Sequence, residues 1–196
     1  MQASTSPLAD LTREPARSGV FIDRDGTIIE DRDYLSDPAG IRLLPGAAQA
    51  IARLNAAGMT VIGVTNQSGI ARGYFGVEDY HRVASRLDEL LAENGARVDA
   101  WYYCPHGPET APACDCRKPL PGMFEKAARE HHLDLARSFF VGDRSRDLVA
   151  GIAAGGRGYL IEGEHTAKDT QIPPLAARVD SLHRAVEHIL SSKLSN

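Results

Sequence analysis

The sequence predicts an α/β fold in which a doubly wound parallel sheet is covered by helices on both faces. Five apolar runs of strand length alternate with segments whose apolar residues recur every three or four positions. Runs that are apolar throughout, rather than at every second residue, are typical of parallel strands buried on both faces. This regular alternation of strand and helix favours a Rossmann-like architecture.

The strands and helices can be placed in order along the chain. The expected strands are GVFID (19–23), TVIGVTN (60–66), VDAWYYC (98–104), SFFVGD (138–143) and RGYLIEG (157–163). The helical patterns cover 46–57, 78–93, 121–132 and 145–154, and a closing helix is expected over 179–192. Because only short connections separate these elements, we expect no large cap domain. The prediction is one domain over 19–192 that follows a flexible N-terminal arm at 1–18.

Composition excludes several classes of function. The 196 residues are enough for one domain with its own core, and the net charge of −4 gives no electrostatic footprint for nucleic acid. No apolar run approaches the roughly 18 residues that would span a membrane, and 1–18 do not resemble a secretory signal. With only three cysteines, all clustered, we expect a cytoplasmic protein. We also expect a monomer that acts on a small molecule, without nucleic-acid or membrane partners.

Carboxylates follow two of the predicted strands. FIDRDGT (21–27) places Asp23 and Asp25 after an apolar strand, and Gly26 permits a sharp turn. VGDRSRD (141–147) ends another strand with Asp143, and Asp147 follows one helical turn later. Separately, these could be an ordinary turn and a helix N-terminal charge. At one edge of a parallel sheet they would repel one another unless a cation joined them, and hard oxygen ligands suit Mg²⁺.

Two further segments supply groups suited to phosphate. VTNQSG (64–69) offers a hydroxyl, an amide and backbone N–H groups near a glycine turn. CRKP (116–119) offers two adjacent cations, which elsewhere are most often solvated surface. Beside Mg²⁺ and the Thr65 hydroxyl they would neutralise charge on a transferring phosphoryl group.

All three cysteines lie in one proline-rich stretch, YCPHGPETAPACDCRKP (103–119). Three cysteines cannot pair completely into disulfides, whereas three thiolates and the His106 imidazole make a complete ligand set for tetrahedral zinc. Free thiols in a surface loop are the alternative interpretation.

The motifs DRDGT, VTNQSGIARG, CPH…CDCRKP and VGD…D, in this order, resemble the haloacid dehalogenase superfamily of phosphohydrolases. The resemblance runs from about residue 21 to about residue 161. More narrowly, the sequence is similar to the D-glycero-D-manno-heptose-1,7-bisphosphate 7-phosphatase and histidinol-phosphate phosphatase families. It implies magnesium-dependent hydrolysis of a phosphomonoester through an aspartyl-phosphate intermediate.

The resemblance also implies residue roles. Asp23 would be the nucleophile, Asp25 the general acid/base, and Thr65 and Lys118 the groups that stabilise the phosphoryl. The expected magnesium ligands are Asp23, Asp25 and Asp143, with Asp147 as a carboxylate behind them. The zinc loop, residues 104–116, would hold a structural Zn²⁺ through Cys104, His106, Cys114 and Cys116. The expected substrate-binding residues are Asp31, Arg32, Asp33, Tyr34, Asn66, Gln67, Ser68, Arg72, Arg117 and Arg144.

For the substrate, the resemblance leaves alternatives. NQSGIARGYF (66–75) is similar to the heptose branch and adds Arg72, so hydrolysis of a heptose 1,7-bisphosphate at C7 is expected. The alternatives are histidinol-phosphate hydrolysis, phosphoryl transfer to an alcohol, and a non-catalytic phosphate-binding regulatory protein. The chain departs from the family pattern in a shorter span from His106 to Cys114 and in Arg144, where relatives often carry lysine. The preferred anomer stays open.

Overall fold

The computed structural model describes residues 16–109, 114–163, 166, 173–174 and 176–193. Within these residues, six parallel strands form one sheet in the order β3-β2-β1-β4-β5-β6. The strands are β1 (Gly19–Ile22), β2 (Thr60–Asn66), β3 (Ala100–Cys104), β4 (Phe139–Gly142), β5 (Arg157–Ile161) and β6 (Ala177–Val179).

Helices connect the strands on both faces of the sheet. They are α1 (Ala47–Ala56), α2 (Ser68–Ala71), α3 (Val77–Glu93), α4 (Gly122–Glu130), α5 (Val149–Ala153) and α6 (Leu182–Lys193). Single 3₁₀ turns lie at Pro38–Gly40, Leu135–Arg137 and Ser145–Asp147.

Strand β1 shows how the two layers form. Val20 and Ile22 pack into one apolar cluster with helices α1, α3 and α6, whereas Phe21 packs into the other with α4. On that second face the Phe21 ring stacks on Phe140, with ring centroids 5.0 Å apart, and meets Phe124 edge-on. Because both faces are buried, the strand is apolar at every position. The prediction of a doubly wound parallel sheet is confirmed.

Strand β6 was not among the predicted strands. The closing helix was predicted to start at residue 179, but it begins at Leu182. Residues Ala177–Val179 instead form strand β6, which pairs with β5. Ala177 and Arg178 are exposed and only Val179 is buried, so this short edge strand has no apolar run to reveal it. The four-residue helix α2 was also not predicted.

Most of the predicted N-terminal arm, residues 1–15, lies outside the described residues. At its described end, the backbone N–H of Arg17 donates a hydrogen bond to the His132 carbonyl at 3.1 Å. Residue 17 is therefore attached to the domain rather than free of it.

Strands β2 and β3 lie on one side of β1 in the sheet, and β4, β5 and β6 lie on the other, so the strand order reverses at β1. Asp23, Thr65 and Asp143 therefore stand at the carboxyl ends of three neighbouring strands. In open α/β sheets this point is where ligands bind, because the connections diverge to the two faces and leave a crevice. In the described part of the chain, no helix is both long and apolar enough to cross a membrane.

Candidate active site

A polar cleft of about 280 Å³ opens at this edge of the sheet. It brings together nearly all of the predicted catalytic and substrate-binding residues. The predicted residues that line it are Asp23, Asp25, Asp31, Asp33, Tyr34, Thr65, Asn66, Gln67, Ser68, Arg72, Arg117, Lys118, Asp143 and Arg144. Arg32 is the exception: it does not line the cleft, and its guanidinium is exposed and pairs with Glu30 at 3.0 Å.

The acidic floor of the cleft consists of Asp23, Asp143 and the Lys118 ammonium, with the buried carboxylate of Asp147 behind them. One carboxylate oxygen from each of Asp23, Asp143 and Asp147 lies within 4.8 Å of the others. The Lys118 Nζ is 2.7 Å from Asp23 Oδ1 and 2.8 Å from Asp147 Oδ1, and it donates a third bond to the Val64 carbonyl at 2.6 Å. Lys118 is 3% exposed, so its charge acts on the carboxylates with little screening by water.

One lysine does not balance three buried carboxylates. Burial raises the pKa of Asp23 to about 7, with further increases from Asp147 and Asp25, even though Lys118 opposes the change. Burial, followed by the charges of Asp23 and Asp147, raises the pKa of Asp143 to about 8. Both Asp143 carboxylate oxygens are buried without a hydrogen-bond donor among the described residues. The donor set and its excess of negative charge fit a hard divalent cation.

Gly26 is required by this arrangement. Its φ is +78°, and a Cβ at that position would lie 2.5 Å from Asp143 Oδ2. Any side chain there would therefore displace a predicted metal ligand as well as strain the backbone.

Asp25 is held apart from the carboxylate cluster. Its Oδ2 accepts hydrogen bonds from Arg24 Nε at 3.1 Å, Gln67 Nε2 at 3.0 Å and Thr65 Oγ1 at 3.3 Å. The predicted metal set included Asp25, but the structure groups Asp147 instead with Asp23 and Asp143. Three side chains fix the carboxylate of Asp25, and its role as general acid/base stays a prediction.

Arg24 is a site residue that the sequence analysis missed. It is 1% exposed, its NH2 donates to Asp25 Oδ1 at 3.0 Å, and its guanidinium lies 5.8 Å from the centre of the Tyr80 ring. The signal was its position between two carboxylates, one of which needs a cation once buried. The buried Arg24 side chain thus orients the carboxylate of Asp25, the predicted acid/base.

Asn66 links strand β2 to the loop that carries Lys118. Its side-chain amide donates to the Lys118 carbonyl at 3.1 Å, and its Oδ1 accepts from the Lys118 N–H at 3.0 Å. Both polar atoms of Asn66 therefore help to position Lys118, and since Asn66 also lines the cleft, its contact with substrate stays a prediction.

Two other predicted substrate-binding cations, Arg144 and Arg117, differ in the partners that their guanidinium groups contact. Arg144 contacts Asp31 at 3.3 Å and Asp143 at 3.7 Å, whereas the Arg117 guanidinium donates, among the described residues, to the His106 carbonyl at 2.9 Å. Burial lowers the pKa of Arg117, and the charges of Arg146 and Arg72 lower it further. Arg117 therefore keeps a charge that a ligand anion can use.

The four predicted zinc ligands converge in the loop after β3. The Cys104 Sγ lies 2.9 Å from Cys116 Sγ and 3.8 Å from Cys114 Sγ, and the His106 Nδ1 lies 3.3 Å from Cys116 Sγ. Burial raises the pKa of the Cys104 and Cys116 thiols, so thiolates here need a cation nearby. Three sulfurs and one imidazole nitrogen at such separations fit a tetrahedral zinc ion. Residues 110–113 of this loop lie outside the described residues.

Replacing Cys116 by serine should release one tightly bound zinc per chain and lower phosphatase activity about a hundredfold. The reason is that Cys116 directly precedes Arg117 and Lys118, and a small displacement of a catalytic group has an effect of this size. Elemental analysis and steady-state kinetics measure the two effects. Native protein free of zinc after purification without chelators would contradict the zinc assignment.

Comparison with known proteins agrees with the geometry. A HAD-hydrolase-like family model matches residues 115–185. A D-glycero-beta-D-manno-heptose-1,7-bisphosphate 7-phosphatase of Mesorhizobium japonicum is 48% identical over 156 residues, which cover 76% of this chain and 72% of the relative. The enzyme of the same name from Bordetella bronchiseptica is 39% identical over 175 residues, which cover 87% of this chain and 97% of the relative.

Solved structures show the same similarity. The crystal structure of the D,D-heptose 1,7-bisphosphate phosphatase from B. bronchiseptica, complexed with magnesium and phosphate, has a TM-score of 0.82 at 38% identity. The match covers 89% of this chain and 99% of the chain in that crystal structure. The crystal structure of a HAD-like phosphatase from Mesorhizobium loti has a TM-score of 0.77 at 41% identity, and the match covers 91% of this chain and 88% of that chain.

Proposed function

Because the chain belongs to the D-glycero-beta-D-manno-heptose-1,7-bisphosphate 7-phosphatase family of HAD-like phosphoric monoester hydrolases, we propose that it removes the 7-phosphate of a heptose 1,7-bisphosphate. The observation that supports this most is the division of charge in the cleft. Asp23 stands in a buried acidic floor with Lys118, while Arg72 and Arg117 lie in the same cleft, outside that floor. Such a cleft suits a substrate with one reacting and one remote phosphate.

In the first step, Asp23 is the nucleophile. One of its carboxylate oxygens forms a bond to phosphorus as the bond from phosphorus to the C7 oxygen breaks. Asp25 donates a proton to the departing alkoxide, so it must be protonated at that moment. Arg24, Gln67 and Thr65 donate hydrogen bonds to its carboxylate and fix the direction in which it points.

In the second step, Asp25 acts as the base. It takes a proton from the water that attacks the aspartyl phosphate, the bond between Asp23 and phosphorus breaks, and inorganic phosphate leaves. The Lys118 ammonium and the Thr65 hydroxyl stabilise negative charge on the phosphoryl oxygens in both steps. We propose that Mg²⁺, held by Asp23 and Asp143 with Asp147 beside them, supplies additional charge neutralisation. Zn²⁺ would act only by shaping the loop of Cys104 to Cys116.

The remote phosphate distinguishes the heptose substrate from histidinol phosphate. Arg117 is half-buried and has no carboxylate partner among the described residues, and Arg72 has none either. A second phosphate would pair with them through charge-assisted hydrogen bonds. Histidinol phosphate instead brings a cationic amine toward these cations, so its binding should be weaker.

The wild-type protein should hydrolyse a heptose 1,7-bisphosphate with a higher kcat/KM than histidinol phosphate, because only the bisphosphate uses both regions of the cleft. Phosphate release from both anomers of the bisphosphate, from heptose 7-phosphate and from histidinol phosphate measures this. Product analysis should find the anomeric 1-phosphate retained. A higher kcat/KM for histidinol phosphate than for either anomer would overturn the proposed substrate.

The same assay separates the other two alternatives. A phosphotransferase would pass phosphate to an added alcohol in preference to water, and the amount of phosphorylated alcohol measures that directly. A non-catalytic phosphate-binding protein would release no phosphate at all. The joint presence of Asp23, Asp25, Thr65, Lys118 and Asp143 in one cleft supports hydrolysis over this last alternative. A monomeric state and a cytoplasmic location stay predictions.

A further inference from the structure

Arg146 lines the same cleft, although the sequence analysis gave it no role. It lies in the 3₁₀ turn Ser145–Asp147, between the predicted metal ligand Asp143 and the carboxylate of Asp147. Its side chain is partly buried, and its Nε is fully buried without a hydrogen-bond partner. A buried donor left unpaired costs free energy, so the local structure is incomplete until an acceptor is present.

The charge of Arg146 is also uncompensated. Among the residues that the structure describes, no carboxylate forms an ion pair with it, although Arg24 pairs with Asp25 and Arg144 pairs with Asp31. Its nearness to Arg117 is evident electrostatically, since Arg146 is the charge that most lowers the pKa of Arg117. Two partly desolvated cations that line one cleft repel each other, and an anion bound between them would relieve that repulsion.

We propose that Arg146 determines specificity by binding the non-reacting phosphate of the substrate together with Arg117. The inference rests on the proposed function and adds to it a residue that was not among the predicted substrate-binding residues. A guanidinium can bind two phosphate oxygens at once, which fixes orientation as well as supplying attraction. Because Arg146 shares a rigid turn with Asp147, the remote phosphate would be held at a set distance from the acidic floor.

The location of Arg146 separates its role from that of Arg144. Arg144 contacts Asp31 and Asp143 and so belongs to the acidic side of the cleft. Arg146 lines the cleft together with Arg117, whose own guanidinium donates to the His106 carbonyl at 2.9 Å. The two arginines therefore form one cationic wall, supported from one side by the zinc loop and from the other by the turn after β4.

Three variants test the inference: Arg146→Ala, Arg146→Lys, and Arg157→Ala as a matched control. Arg157 is an exposed arginine at the beginning of β5, at the opposite edge of the sheet from the cleft. The measured quantity is the ratio of kcat/KM for the heptose 1,7-bisphosphate to kcat/KM for the heptose 7-phosphate. Loss of one charge-assisted bond should lower this ratio about tenfold to a hundredfold in Arg146→Ala.

The decrease should arise mainly from a higher KM for the bisphosphate, because the remote phosphate takes no part in bond making. Arg146→Lys should recover part of the ratio, Arg157→Ala should keep it, and the heptose 1-phosphate product should inhibit Arg146→Ala less strongly than wild type. Melting temperatures confirm that each variant is folded.

Two results overturn the role of Arg146 alone: an unchanged ratio in Arg146→Ala, or a proportional loss with both substrates, which indicates a structural effect. Failure of the proposed function looks different, since the wild-type protein itself would then show no preference for the bisphosphate.

Discussion

Replacing Asp23 by asparagine should lower phosphate release by about a thousandfold or more while leaving the fold intact. The amide has nearly the volume of the carboxylate but is a poor nucleophile, and removal of a nucleophile costs most of the rate that its site supplies. The substitution also removes one of the negative charges that crowd around Lys118. In the native chain burial raises the pKa of Asp23 to about 7, so its ionised form destabilises the metal-free protein at higher pH.

The metal-free Asp23→Asn variant should consequently melt no lower than wild type at pH 8. Asp134→Asn is a matched control, because Asp134 accepts the Ala136 N–H at the other end of strand β4 and asparagine caps equally well. That control should keep normal turnover. Phosphate release by Asp23→Asn close to the wild-type rate would refute the assigned nucleophile.

The sheet could be predicted from the sequence wherever burial leaves a signal. Strand β2 was placed at 60–66 as observed, since five of its seven residues are buried and apolar runs of that kind rarely occur outside strands. Strand β6 has a single buried residue and gains its conformation from pairing with β5, which no local pattern encodes. The error at β6 is therefore one of tertiary context rather than of composition.

The residues of the site show the same difference between what a local pattern predicts and what only tertiary contacts determine. Asp23, Thr65 and Asp143 could be predicted because strand ends are readable and parallel strands bring their carboxyl ends together. What could not be predicted is which partner the side chains of Asn66 and Arg146 find in the folded chain. Those partners lie 52 residues away for Asn66, and for Arg146 the decisive fact is the lack of a described partner. Hydrogen-bond satisfaction is a property of the folded chain, not of a motif.

Replacing Lys118 by methionine should have the largest combined effect on catalysis and stability. Methionine keeps an unbranched side chain of similar length but removes the ammonium that lies 2.7 Å from Asp23 and 2.8 Å from Asp147. Turnover should fall about a thousandfold, since the phosphoryl group loses a fixed positive charge in a site that excludes water.

Stability of the metal-free Lys118→Met variant should depend strongly on pH. Burial raises the pKa of Asp23 to about 7 and that of Asp143 to about 8, from an ordinary value of 3.8, so folding favours their protonated forms. That stabilisation is present at acidic pH and is lost as pH rises from about 4 to about 8. In wild type, Lys118 offsets part of the resulting repulsion.

Without Lys118, we expect a loss of about 3–5 kcal/mol in the free energy of unfolding at pH 9 and a much smaller loss at pH 5, where the carboxyls carry protons. Urea unfolding at the two pH values, in the presence of a chelator, measures the difference. Lys126→Met is the matched control: Lys126 is exposed on helix α4, and its ammonium forms no ion pair with a described residue and lies 5.8 Å from the centre of the Tyr102 ring, so its loss should be small and independent of pH. An equal loss at both pH values for Lys118→Met would show that Lys118 acts through packing of its side chain and not through its charge on the acidic floor.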